Sequence, residues 1–388
     1  MKIMHILKLI FKNAFRHKLR TFLTILGVTI AILAFGLLRT VISAWYAGVE
    51  ASSASRLVTR NAVSLIFPLP LSYKEKIRQV EGVKRVSYGT WFGGVYIDEK
   101  NFFANYAVEP KVYLEMYPEI VIPGGQMAAF LRDRKAAVAG RKLVERFRWK
   151  IGDVVILKGT IFPGEWDFVI RGIYKGRDQT VDESAFFFHW DYLNEALKKA
   201  GRTWAGQVGW YMIEVTDPYI AADVSLRIDK MFKNSIAETL TETEKAFQLG
   251  FISMSQAIVV AIQLVSFVIV FIIMAVVANT MAMTARERIG EYAIFKTLGF
   301  KAVHISGLIL GESLIITMTG ASLGIVLTFP AAKIFSKELS QFFPIFNVEQ
   351  ETIIIDIIAA LVVACVAAVF PAWRAVNIRI ADGLRRIG

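Results

Sequence analysis

The chain has 388 residues, of which 55% are hydrophobic and 20% charged, with a mean hydropathy of +0.48. That balance is too apolar for an ordinary soluble protein and too charged for a wholly embedded one, so part of the chain lives in water. The net charge of +12 raises nucleic acid as a partner, but the basic residues gather in short stretches flanking apolar runs, which marks membrane topology instead and leaves no nucleic-acid footprint. Cys365 is the single cysteine, which excludes an intramolecular disulfide, and His5, His17, His189 and His304 lack clustered acidic or cysteine neighbours, so no metal site is expected.

In residues 1–20, Ile3, Ile6, Leu7, Ile10, Ala14 and Phe15 recur at helical spacing opposite Lys2, His5, Lys8, Lys12 and Arg16. This predicts an amphipathic helix on the cytoplasmic surface of the bilayer. The apolar run that follows is long, has no small-residue cleavage site and ends in Arg39, Trp45 and Tyr46. Residues 21–45 therefore read as a retained first span with an aromatic outer belt, not as a signal peptide. Residues 46–254 carry scattered charges and the turn pairs Gly93-Gly94 and Gly124-Gly125, with no run long enough to span. Helical patterns over 72–80 and 218–232, and extended ones over 102–108, 154–158, 168–174 and 211–215, predict a large folded domain of the α+β or α/β class. Residues 237–254 read as a helical stalk. The aromatics Trp91, Phe92, Phe186, Phe187, Phe188 and Trp190 fit a cargo surface or a core, the core being the commoner use of such residues.

Residues 257–283 are uncharged over more than the roughly 20 residues needed to cross a hydrocarbon core, giving a second span. Residues 284–301 begin TARERIGEYAIFKTLGF. Arg288 and Glu291 are neighbours on a helix there, Ile289, Ala293, Ile294, Phe295 and Leu298 offer apolar surface, and Gly299 suits a C-terminal stop. So short a loop cannot bury such a helix by itself, and it either lies in the headgroups or docks on another protein at the cytoplasmic face. Residues 304–331 form a third span interrupted by Glu312. An acid at that depth is costly unless paired, protonated or wet, which makes it a functional candidate; alternatively it lies only about 12 Å along the helix from His304 and hydrates at the interface. Residues 332–351 are a short outer loop, 352–373 a fourth span with Asp356 near its outer end, and 374–388 a basic tail. The basic groups of the first segment, the central loop and the tail all fall on one side, placing them in the cytoplasm and the large domain outside.

The stretch Arg20, Thr21, Leu23, Thr24, Leu26, Gly27, the central Arg288, Glu291, Lys296, Leu298 and Gly299, the intramembrane Glu312, and the tail residues Pro371, Ala372, Ala375, Leu384 and Arg385 together resemble the MacB/FtsX family of ABC-transporter permeases over nearly the whole chain. Ala293 stands where the family commonly has Gly, and Ile380 where it has Pro. The resemblance implies an α-helical membrane protein with four transmembrane helices and a large α+β periplasmic domain, in two subdomains, inserted between the first and second. It also implies residence in a bacterial inner membrane, and a second permease, identical or homologous. No cofactor is expected in this chain; ATP and Mg would be bound by a separate ABC ATPase. Residues 284–301 would be the coupling helix, with Arg288, Glu291, Ile294, Lys296, Leu298 and Gly299 set in a groove of that ATPase. Its motion would be relayed to the periplasmic domain by mechanotransmission, driving efflux or extraction of a lipophilic or lipoprotein cargo toward a periplasmic adaptor and an outer-membrane channel. The competing reading is an FtsX-like regulator of a periplasmic cell-wall hydrolase that transports nothing. Independently of the resemblance, no G-x-x-x-x-G-K-[ST] phosphate loop occurs, which puts ATP hydrolysis on another chain. A secondary transporter is disfavoured by the lack of an inverted repeat, and a membrane enzyme by the lack of a nucleophile, base and oxyanion-donor set.

This topology predicts that, after Cys365→Ser, cysteines placed by Lys100→Cys or Thr180→Cys react with an impermeant thiol reagent in intact spheroplasts. Labelling at either position only after lysis would reverse the assignment.

Overall fold

Long uncharged runs fold here as helices, the conformation that satisfies backbone polar groups without water. The structure is a computed structural model that describes residues 3–50, 52–178, 180–338, 343 and 345–378. Met1, Lys2, part of the outer loop, and the tail from residue 379 with Ile380, Leu384 and Arg385 lie outside the described residues. In chain order the elements are α1 (Ile3–Ala14), α2 (Lys18–Glu50), β1 (Arg56–Asn61), β2 (Leu69–Pro70), α3 (Tyr73–Arg78), β3 (Val83–Trp91), β4 (Gly94–Tyr96), β5 (Asn105–Val108), α4 (Pro110–Glu115), β6 (Ile120–Val121), α5 (Gly124–Arg132), β7 (Ala136–Gly140), α6 (Arg141–Phe147), β8 (Val154–Gly159), β9 (Gly164–Gly176), β10 (Phe186–His189), α7 (Trp190–Lys199), β11 (Gln207–Val208), β12 (Trp210–Val215), α8 (Ala221–Phe232), β13 (Thr239–Thr243), α9 (Glu244–Met254), α10 (Gln256–Glu287), α11 (Ile289–Thr297), α12 (Ala302–Glu338) and α13 (Gln350–Val376). They make two compact units: α1, α2 up to Ala44 and α10 to α13 in one, Trp45–Ser255 with Phe343 and Ile345 in the other.

In the helical unit, α2, α10, α12 and α13 are each long and apolar enough to cross a membrane. Hydrocarbon gives no hydrophobic drive between helices, so small residues that let backbones approach, together with interhelical hydrogen bonds, hold them. A Cβ on Gly320 would lie 2.7 Å from Val28 Cβ, and one on Gly324 2.9 Å from Ile32 Cβ, so α12 meets α2 almost at the main chain. Thr29 Oγ1 donates to Gly320 O at 3.1 Å, and Ser313 Oγ to Ala364 O at 2.8 Å on the buried alanine stripe of α13. Asp356 is buried against Gly36 and Thr328. The outward residues Leu264, Phe267, Phe271 and Val369 stay exposed, a continuous apolar coat suited to lipid. Where the sequence suggests that α1 lies on the bilayer, the structure packs it on protein: Ile10 and Ala14 are buried, and Ile10 fills the space over Gly311 of α12.

In the second unit one sheet runs β13-β1-β12-β3-β5-β10-β7-β9-β8-β4. Strands from both ends of the inserted domain's sequence join this single sheet, β3 pairing with β5 near its middle. Phe186-Phe187-Phe188 is an unbroken apolar run because β10 lies centrally and is covered on both faces. Phe186 and Phe188 enter a core with Phe92, Trp190 and residues of α3, α7 and α8, whereas Phe187 enters a second core with Tyr113 of α4 and Phe130 of α5. Four of the six singled-out aromatics thus pack the first core, and Trp91 and Phe187 are left facing the other side. The predicted stalk over 237–254 is corrected: Thr239–Thr243 pairs antiparallel with β1 as an edge strand, and only Glu244–Met254 is helical. The β-branched Thr-Leu-Thr-Glu-Thr pattern alternates with period two, which outweighs the helix preference of its neighbours.

His189 ends β10 in this core, its Nε2 2.8 Å from Phe130 O and its ring against Phe130. Burial pushes its pKa below the ordinary 6.5, against the raising effect of that carbonyl. The neutral ring is favoured in the folded state, so the unfolded state binds more protons below about pH 6.5; the contribution to stability is full above that pH and is lost as pH falls. His189→Gln is expected to give a shallower fall in Tm between pH 7 and pH 5 than the wild type, both measured by thermal unfolding in the same detergent.

Candidate functional site

α10 stops at Glu287 because Arg288 leaves the helical region (φ −105°, ψ 15°), and α11 resumes at Ile289. The single helix expected over 284–301 is therefore two pieces, with residues 284–287 completing the membrane helix. At its far end α11 is closed by a Schellman cap. Gly299 takes φ +87°, its N–H donates to Lys296 O, and the N–H of Phe300 donates to Phe295 O at 3.0 Å, with the two Phe rings 5.2 Å apart.

The charged residues turn inward at this break. Arg288 is 3% exposed and Glu312 2%, and the guanidinium donates through Nη1 to Glu312 and through Nε to Glu291 at 2.8 Å. Glu291 also accepts from Arg16, in the turn between α1 and α2. Next to this chain, Arg20 makes a two-pronged contact with Glu287 at 2.7 and 2.9 Å. Burial acts against charge on Arg288, but Tyr292, Glu312 and Glu291 outweigh it and hold its pKa above the ordinary arginine value. Burial likewise opposes ionisation of Glu291, and the hydrogen bonds from Arg16 and Arg288 overcome it, leaving that carboxyl below the usual range. Both stay charged. Of the two sequence readings of Glu312, the structure selects a paired acid over a hydrated one. The Arg288–Glu291 pair is the half-exposed end of a bridge whose other end, Arg288–Glu312, is buried.

Lys296 also points inward. Its Nζ donates to the carbonyls of Val376 and Ile378, the latter at 2.7 Å, and so satisfies orphan acceptors at the C-terminus of α13 where the helix dipole favours a cation. The N-terminal turn, the α10–α12 connection and the end of α13 consequently meet at one end of the unit, which is what the positive-inside distribution requires of them. The large apolar residues left outward here are Ile294 on α11 and Leu298 at its C-cap, 43% and 69% exposed and four residues apart, flanked by exposed Arg286 and Lys301. Tyr292 and Ala293 face the interior, Tyr292 packing with Ile305, Ile309 and Ala368.

The pairing of Arg16 and Arg20 with Glu291 and Glu287 was not expected from the sequence. Their signal is present there: two arginines and two glutamates, each pair four apart, in two segments that topology puts on the same side. Thr21, a motif residue, closes the turn by donating to Ala14 O at 2.6 Å. Among the described residues no group of His, Cys, Asp and Glu is gathered so as to hold a metal.

Two family models match the chain: the MacB-like periplasmic core domain over residues 21–230 and the FtsX-like permease C-terminal domain over residues 263–380. The chain belongs to the MacB/FtsX family of ABC transporter permeases. An uncharacterized ABC transporter permease from Methanocaldococcus jannaschii is 25% identical over 99% of this chain and 98% of its own length. The extracellular domain of the noncanonical ABC-type transporter YknZ from Gram-positive bacteria aligns with 48% of this chain and all of its own, at 11% identity and a TM-score of 0.36. In this MacB/FtsX permease the large α+β domain is the insertion between the first two membrane helices, and the charged break is the short connection between the second and third.

Removing one member of a buried ion pair costs about 3–5 kcal/mol, because the other charge is left without a partner. Glu312→Met is therefore expected to lower the unfolding free energy of the permease by about 3 kcal/mol, Arg288→Met by a comparable amount, and the two combined to recover much of that loss. Unfolding in nanodiscs checks this as a double-mutant cycle, and strict additivity of the two single variants would show that the groups are not coupled.

Proposed function

We propose that this permease couples ATP hydrolysis by a separate ABC ATPase to movement of its extracytoplasmic domain, with α11 docked in a groove of that ATPase at the cytoplasmic face. Family membership implies the ATPase partner, and ATP and Mg belong to that subunit. The observation that carries the reading is the division of α11: Ile294 and Leu298 are open on one side, while the other is tied by Glu291 and Arg288 to the N-terminal turn and α12 and by Lys296 to α13. A helix that presents an apolar docking edge and is ionically fastened to three others transmits a push instead of absorbing it. ATP-driven closure of two ATPases would bring the α11 helices of two permease copies together. That displacement would pass along α2 and α10, the helices whose ends adjoin the inserted domain in sequence, and would drive efflux or extraction of a lipophilic cargo across or out of a cytoplasmic membrane. Delivery to an adaptor and outer channel belongs to the same scheme where a second membrane exists.

The two sides of α11 give separable outcomes. Leu298→Asp is expected to lower co-purification of the ATPase by about tenfold with expression unchanged, since a buried unpaired carboxylate at an interface centre costs well over 1.4 kcal/mol. Glu291→Lys, which repels Arg16 and Arg288, is expected to leave association within about twofold and to uncouple ATPase rate from cargo in nanodiscs. Unchanged association for Leu298→Asp would overturn the docking role.

A further inference from the structure

The inserted domain contains a cavity of about 830 Å3 that the coupling scheme does not use. Its floor is the second face of the sheet, where Tyr106, Phe187, Trp210 and Met212 point, and Phe247 and Phe251 of α9 line it from another side. The rings form a ladder. Trp91 meets Tyr106 edge-on at 5.2 Å, Tyr106 stacks on Phe187 at 5.7 Å, Phe187 reaches Tyr113 at 6.3 Å, and Tyr113 stacks on Tyr117 at 5.2 Å. The ladder ends where the Arg56 guanidinium lies 4.3 Å over Tyr117. At the mouth, Ile66, Ile161 and Phe251 remain 78%, 47% and 48% exposed, an apolar rim that water does not favour.

The charged groups in the wall already hold partners. Arg56 donates to Glu244 at 2.7 Å, to Glu119 at 2.6 Å and to Met116 O at 3.0 Å; Glu244 further accepts from Ser53 N and from the Tyr117 hydroxyl. One guanidinium thus faces two carboxylates, which outnumber its single positive charge. On the opposite wall Asp182 is held by Ser184 N and Oγ, and burial raises its pKa in spite of those bonds. A sugar or peptide would leave its own polar groups unpaired against the rings, at a cost of about 1–3 kcal/mol each, and an anionic head would meet a surplus of negative charge. Aromatic faces accept hydrocarbon and cations instead.

We propose that this cavity binds a single lipophile, of drug or single-chain lipid size, whose polar end is neutral or cationic and rests toward Glu119 and Glu244. Its volume falls within the roughly 300–1,000 Å3 of small-molecule sites. The inference deepens the transport reading by giving the cargo a place and a charge rule. It is tested without ATP or the ATPase, so that its failure leaves the coupling scheme standing and failure of that scheme leaves the site standing.

The full permease in nanodiscs is photolabelled with a diazirine-bearing dodecylamine and the adducts are mapped by mass spectrometry, label on the membrane helices serving as the reference for lipid-phase probe. Adducts in the inserted domain are expected to concentrate on Trp91, Tyr106 and Trp210. They should be suppressed by dodecylamine and dodecanol but not by dodecanoate, and should fall at least about fivefold when Met212→Trp fills the cavity, with membrane-helix label unchanged. If Met212→Trp loses its melting transition, Gln248→Trp on the α9 wall replaces it in the same comparison. Label confined to the membrane helices, equal competition by dodecanoate, or domain label indifferent to a folded filled variant would each overturn the proposal.

Discussion

A guanidinium buried where a membrane helix breaks governs one end of the helical unit of this permease. Arg288 is out of water, so its charge is tolerable only while Glu312 and Glu291 both face it. That requirement fixes where α12 lies relative to the break, and through Glu291 it fixes the turn that carries Arg16. A hydrophobic contact could slide by an ångström with little loss. A buried guanidinium held between two carboxylates cannot, because the low dielectric that strengthens the pairing also penalises every misaligned geometry. The charges at this end are therefore a positioning device, and α11 inherits its orientation from them.

The membrane helices themselves are held by a different means. Gly320 and Gly324 bring α12 onto α2, and alanines do the same between α12 and α13, so packing distance and not charge sets the body of the bundle. The helices are thus packed along their length by small residues and fastened at one end by ion pairs. Lys296 adds the end of α13 to that fastening through backbone carbonyls, which ties it to the helix itself and makes it indifferent to which side chains the tail carries.

Architecture was readable from the sequence because the physics behind it is local. A run without charges has few conformations open to it in hydrocarbon, and Lys and Arg report their side of the membrane wherever they stand. Gly299 was readable for a similar reason, since a left-handed residue after a helix favours glycine. The direction of side chains was not readable. Arg288 and Lys296 look like surface charges on a helical wheel, and only the approach of α12 and α13 turns them inward. Thr239–Thr243 escaped because its period-two pattern is only five residues long, and the partner that completes the strand, β1, lies about 180 residues earlier in the chain. Trp91, Tyr106 and Trp210 come from three strands, and their convergence on one cavity depends on sheet order alone.

The pairing of β1 with β13 also decides how the inserted domain responds when its two attachments are drawn apart. The strands are antiparallel, with Leu57 opposite Thr243 and Asn61 opposite Thr239, so the chain enters and leaves the domain at the same end of the pair. Separating those ends loads the hydrogen bonds one after another, as a zipper opens, whereas attachments at opposite ends would load them together in shear. Tension accordingly concentrates at the first rung, where Arg56 grips Glu244 and Ser53 N–H holds the same carboxylate. These two contacts at the fork are the first that such a load meets.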